Sequence, residues 1–130
     1  MKYLLDTDTV SFALRGQGDV GARIRSRKPS DLSISAITLA ELRYGADRKG
    51  SRKLHALIDT FTSAIEVVSF DEHAATDFGR IGSVLADRGT PIGEFDVLIA
   101  AHALALRCTL VTNNVWHFAK VPGLSVENWA

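Results

Sequence analysis

The chain has one cysteine, Cys108, which excludes a disulfide framework and a thiolate zinc site. It has no long apolar run. The longest, Val97 to Ala101, is five residues, far short of a membrane span. Met1 leads straight into Lys2-Tyr3-Leu4-Leu5-Asp6, without the apolar region of a signal peptide. There is no internal repeat, low-complexity tract or long linker. There is also no net charge: 15 Lys and Arg balance 15 Asp and Glu, whereas a generic polyanion binder is usually basic. No G-x-S-x-G, P-loop or nucleophile–His–Asp pattern is present. These absences lead to the expectation of a cytoplasmic protein with no membrane association.

What remains is an ordinary globular composition. The 130 residues are 46% apolar and 23% charged, which predicts a single domain over residues 1–130. A chain of this length buries roughly two-thirds of its unfolded surface, so it folds without covalent staples. The zero net charge hides an asymmetry. Between Arg15 and Lys53 there are ten Lys and Arg against four Asp and Glu, so this stretch carries +6 and the remainder −6. A solvated helix face accounts for such a run as readily as a binding surface does.

Periodicity predicts an α/β fold with a short, largely parallel sheet. Tyr3 to Leu5, Leu32 to Ser35, Val67 to Phe70 and Thr109 to Thr112 read as strands, and Ser125 to Glu127 as an edge strand. Helices are expected over Asp8 to Arg15, Asp19 to Lys28 and Thr38 to Ala46. Another starts at Ser51, with Leu54, Leu57, Ile58, Phe61 and Ile65 on one face. Asp71 is a good N-cap for a helix that buries Ala74, Phe78, Ile81 and Leu85. After the loop marked by Gly89, Pro91 and Gly93, Phe95 to Arg107 is a helix apolar nearly all round. A short helix follows at Val115 to Phe118.

In such sheets ligands bind beyond the carboxyl ends of the strands. Asp6 follows the first strand, Glu41 lies in the first turns after the second, and Asn113 and Asn114 follow the fourth. Asp96, with Glu94 close by, opens the most apolar helix, where a carboxylate is expected to be buried and to need a partner. Parallel strands bring these groups to one rim, and carboxylates gathered there repel one another unless a cation neutralises them. Oxygen ligands without thiols or paired histidines suit Mg²⁺ or Mn²⁺. Each residue also has a structural use. Asp6 or Asp8 caps a helix, Thr38 and Glu41 fit a T-x-x-E capping box, and Asn113 and Asn114 are common turn residues. Trp116, Phe118 and Trp129 either stack on bases or pack the C-terminal segment.

The chain resembles PIN-domain nucleases, and among them VapC-type toxins of toxin–antitoxin pairs. The resemblance is carried by Leu4-Leu5-Asp6-Thr7-Asp8, by Ile34-Ser35-Ala36-Ile37-Thr38-Leu39-Ala40-Glu41-Leu42-Arg43-Tyr44-Gly45 and by Pro91-Ile92-Gly93-Glu94-Phe95-Asp96. It continues in Val111-Thr112-Asn113-Asn114 and Glu127-Asn128-Trp129, so it spans nearly the whole chain in family order. It implies a three-layer PIN-like fold and a metal-dependent endoribonuclease using Mg²⁺ or Mn²⁺. Asp6, Glu41 and Asp96 occupy the three main acidic positions and are the implied metal ligands. Asn114 stands at the fourth catalytic position, often Asp, and supplies no negative charge. Asp8 replaces a common Asn, either behind the ligands or restoring that charge, and Glu94 is a supplementary acid. The resemblance also implies a homodimer, a VapB-like antitoxin whose tail blocks the site, and by analogy cleavage of initiator tRNA.

Two other classes fit parts of the pattern. A receiver-like phosphoacceptor domain is also a small α/β unit with acids after its first strand, with Asp71 as the candidate acceptor. Gly16 to Gly21 matches G-x-G-x-x-G literally, but Asp6 to Arg15 separates it from the strand that a dinucleotide site requires.

Overall fold

Leu4 and Leu5 are both fully buried, although neighbouring residues of a strand point to opposite faces. The sheet they belong to must therefore be covered on both sides, as parallel sheets are. The computed structural model, which describes residues 1–130, shows this arrangement. Its strands are β1 (Tyr3–Leu5), β2 (Leu32–Ser35), β3 (Glu66–Val68), β4 (Thr109–Val111) and β5 (Val126–Glu127). They form one sheet in the order β3-β2-β1-β4-β5, and every neighbouring pair is parallel. The helices are α1 (Thr7–Leu14), α2 (Val20–Arg25), α3 (Ala36–Lys49), α4 (Arg52–Ala64), α5 (Glu72–Asp87), α6 (Glu94–Leu106) and α7 (Val115–Phe118).

The alternation of side chains builds two cores. Leu4 and Leu110 point to a core closed by Ile81 and Leu85 of α5 and by Ile99, Ala100 and Ala103 of α6. Leu5, Ile34 and Val111 point to the other, closed by Val10 of α1, Val20 of α2, Leu42 of α3, Ile58 of α4 and Trp129. The expected three-layer architecture is thus present. On the α6 face, β2 places Ser33 and Ser35 instead of apolar residues, both fully buried. The Ser33 hydroxyl donates to the Tyr3 carbonyl at 2.9 Å, and Ser35 Oγ lies 2.8 Å from Nδ1 of buried His102. Buried polar groups need such partners.

Several local expectations change. The capping box at Thr38 does not form. Ser35 caps α3 by accepting from the Ile37 amide at 3.0 Å, and Thr38 is buried one turn inside. Ser35 stands directly at the strand end, so the helix starts as soon as the strand stops. Likewise α1 begins at Thr7 under the Asp6 cap, not at Asp8. The third strand is Glu66–Val68 rather than Val67 to Phe70, because only Ser33 to Ser35 of β2 pair with it. The charge-rich segment is not one surface. Arg27 lies against the rings of Tyr3 and Trp129, and Arg43 pairs with Asp59.

Strand order reverses between β1 and β4, the place where α/β sheets open a crevice at their carboxyl ends. The receiver reading finds no support, since that fold orders its strands 2-1-3-4-5. Asp71 accepts from the Ala74 amide at 3.0 Å as the cap of α5, following an edge strand. Gly16 and Gly18 adopt left-handed φ of 67° and 61° in the turn between α1 and α2, away from any strand end.

Candidate active site

The carboxyl ends of β1 and β4 are stitched together. The Asp6 amide donates to the Val111 carbonyl at 3.0 Å, and the Thr9 hydroxyl donates to the same carbonyl at 3.1 Å. Asp6 therefore sits at the mouth of the crevice, 5% exposed, and its Oδ1 accepts from the Thr9 amide at 2.8 Å. Burial pushes its carboxyl up to about 6, against the opposing effect of the Thr112 and Thr9 groups beside it. It is both helix cap and strained acid.

Glu41 reaches the rim from α3. Its Oε1 accepts from the Thr7 hydroxyl at 2.6 Å, so the side chain is turned toward α1 and not back along its own helix. Asp96 reaches the rim from the first turn of α6. Its side chain is 41% exposed, less buried than the apolar helix suggested, in a first turn whose Glu94 and Phe95 are exposed as well. The Asp96 Oδ2 and the Ile92 carbonyl each lie 3.0 Å from His117 Nε2. Both are acceptors, so that nitrogen carries the proton. Partial burial holds the carboxyls of Glu41 and Asp96 above their usual range as well. The negative charge of Asp8 adds a small upward push to the carboxyls of Asp6, Glu41 and Asp96 alike. Asp96 also raises Glu41.

No lysine or arginine forms a salt bridge to these acids. No three His, Cys, Asp or Glu side chains close into a metal cage either. Asn114 stands at the start of α7, where its backbone amide donates to Thr112 Oγ1 at 3.0 Å and its side chain makes no capping bond. Asn113 follows Thr112, and its Oδ1 is buried without a protein partner. Glu94 is exposed at the start of α6.

A PIN domain model matches residues 3–124. The tRNA(fMet)-specific endonuclease VapC of Salmonella typhimurium is 38% identical over 133 aligned residues, covering 99% of this chain and 98% of the relative. Ribonuclease VapC2 of Rickettsia felis is 36% identical over 132, covering 99% and 98%. The chain belongs to the PIN-domain family, in its VapC branch. Solved structures agree with this PIN assignment. DNA-bound VapBC from Salmonella typhimurium superposes with a TM-score of 0.94 at 36% identity, covering 100% of this chain and 99% of that one. VapBC2 from Rickettsia felis, bound to a promoter DNA fragment, gives 0.92 at 33% identity, covering 100% of both chains.

Beside the rim, this PIN domain has a groove of about 410 Å³ between α1, α3 and α4. Asp8 and Glu41 line it together with Arg15, Lys49 and Lys53, so acids and cations share one depression. Sequence reasoning missed Thr7 and His117 as supports of Glu41 and Asp96. His117 lies 21 residues from Asp96, and no helical or strand period links them. Thr7 was visible only as the residue after Asp6.

Proposed function

We propose that this PIN domain, residues 1–130, is a metal-dependent endoribonuclease acting in the cytoplasm. In this reading it is the toxin of a type II toxin–antitoxin pair, a homodimer held in check by a VapB-like antitoxin. The observation that carries the proposal is the acidic rim at the β1/β4 crevice. Asp6, Glu41 and Asp96, with Asp8 close enough to raise all three, have no lysine or arginine partner, and His117 alone reaches one of them, Asp96. Full-length similarity to proteins named as VapC ribonucleases supplies the substrate class.

The donors suit a hard cation, since all are oxygens and the Asn113 amide oxygen lacks a protein partner. Mg²⁺ keeps several waters and needs only one or two carboxylates, so a loosely spaced set is sufficient. Asp6, Glu41 and Asp96 would hold Mg²⁺ or Mn²⁺. When bound, the ion supplies a water of lowered pKa and offsets charge on the phosphate. Thr7 orients Glu41 and His117 orients Asp96. Arg15, Lys49 and Lys53 hold the RNA backbone along the groove. Asn114 is assigned to the catalytic set as a neutral oxygen donor, and Glu94 as a supplementary acid.

The name of the Salmonella relative makes initiator tRNA the first substrate to try. Incubation of a small-RNA pool with Mg²⁺, Mn²⁺ or EDTA, followed by sequencing of new ends, tests the reading. Discrete ends that require metal are expected, and Asp96→Asn and Asp6→Asn should each reduce them by at least about a hundredfold. Undiminished cleavage by both variants overturns the assignment.

A further inference from the structure

Three aromatic residues near the C-terminal end of the chain have diverged in fate. Phe118 and Trp129 are buried in the two cores. Trp116 is 71% exposed, against the usual preference of so large an apolar ring. It is nonetheless firmly placed. Its helix α7 is anchored on one side of it by buried Phe118 and by His117, whose Nε2 donates to Ile92 and Asp96. The indole lies 6.1 Å from the His117 ring, one side chain removed from an acid of the rim. Lys120 Nζ sits 5.3 Å from the indole centre. Tyr44 and Phe95 are also exposed, but no cation lies over either ring.

We propose that Trp116 is a stacking platform for a base of the RNA strand lying across the acidic rim, with Lys120 contacting an adjacent phosphate. The inference rests on the nuclease reading and refines its substrate contacts. An aromatic ring paired with a neighbouring cation is how single-stranded nucleic acid is held without sequence reading: the ring takes a base, the cation the backbone. Trp116 stands on the Asp96 side of the rim, while Arg15, Lys49 and Lys53 stand on the Asp8 and Glu41 side. A strand gripped at both places is stretched over the carboxylates between them. Trp116 is a positioning residue in this scheme, and it fixes which nucleotide lies beside the acids.

Binding of fluorescently labelled oligo(A) and oligo(U) by the full chain in EDTA tests the proposal without turnover. Inorganic polyphosphate serves as the comparison that has charge but no bases. Trp116→Ala should weaken both oligonucleotides by roughly five- to a hundredfold. It should leave polyphosphate affinity and the melting temperature unchanged, and Trp116→Phe should recover most of the loss. In cleavage, KM should rise with kcat little altered. Unchanged oligonucleotide affinity overturns the inference, as does an equal loss for polyphosphate. Unchanged RNA affinity together with loss of an inhibitory protein partner also overturns it, and assigns the ring to that partner. RNA binding that depends on Trp116 in a protein that cuts nothing would instead sink the nuclease reading and leave this contact standing.

Discussion

The two ends of β1 treat charge in opposite ways. At the amino end, Tyr3 carries the guanidinium of Arg27, 4.8 Å from its ring centre and 3.3 Å from its hydroxyl. The Trp129 ring closes on the same guanidinium at 4.4 Å, and its indole N–H donates to Glu127 Oε1 at 3.0 Å. Three residues further along the chain, Asp6 is buried with like-charged neighbours and no cation. One end is built for stability, with a charge offered π faces and a hydroxyl. The other stores unfavourable electrostatics at the rim for which we propose the chemistry, the pattern expected when a site is optimised for a ligand rather than for folding.

Removing Trp129 should break the stable end. Trp129→Ala takes a fully buried ring from the core on the α1–α4 face and should cost about 3–5 kcal/mol of unfolding free energy. Denaturant titration checks this, with cleavage per folded molecule unchanged. A cost below about 1 kcal/mol would mean the clamp is decorative and the comparison false.

Asp6→Asn sharpens the other half. The Asp6 carboxyl moves from 3.8 to about 6 on folding. A raised pKa favours the folded state fully below pH 4, and that contribution is lost as pH rises through about 6. At pH 7 the wild-type protein without metal therefore folds against the cost of the buried charge. The Asn variant, which keeps an oxygen for the Thr9 amide, should be more stable there by about 2–3 kcal/mol, at 1.36 kcal/mol per pH unit. The advantage should vanish near pH 4. Thermal melts of the two proteins at both pH values decide it, and a variant less stable at pH 7 contradicts the account. If Asp6 holds the metal as proposed, the same shift predicts that the metal concentration needed rises as pH falls below about 6, because a carboxylate ligand must be ionised.

The smallest effect belongs to the groove. Lys49→Gln with Lys53→Gln should weaken RNA binding evenly across sequences and flatten the log–log salt slope by about 2. An unaltered slope would remove the groove from the RNA path.

Much of this was legible from residue order. Short apolar runs that stop at polar residues marked β1, β2 and β4, and helical spacing marked α4, α5 and α6. Asp6, Glu41 and Asp96 stood out because each follows or faces an apolar element. The errors fell where two local solutions compete. Ser35 and Thr38 are both good caps, and the end of β2 selected Ser35. Trp116, Phe118 and Trp129 looked equivalent, yet two became core and one solvent-facing.

The sequence by itself determined the α/β alternation, the two-sided burial of the strands and the acids at their ends, since these depend on neighbours within a few residues. Tertiary structure alone decided that Thr7 would hold Glu41 and His117 would hold Asp96. It also decided that Glu41 and Asp96 would feel the charge of Asp8, and that Arg27 would leave the basic run for an aromatic clamp. Those pairings join residues 21 to 102 positions apart, and no local periodicity encodes a meeting that depends on strand order.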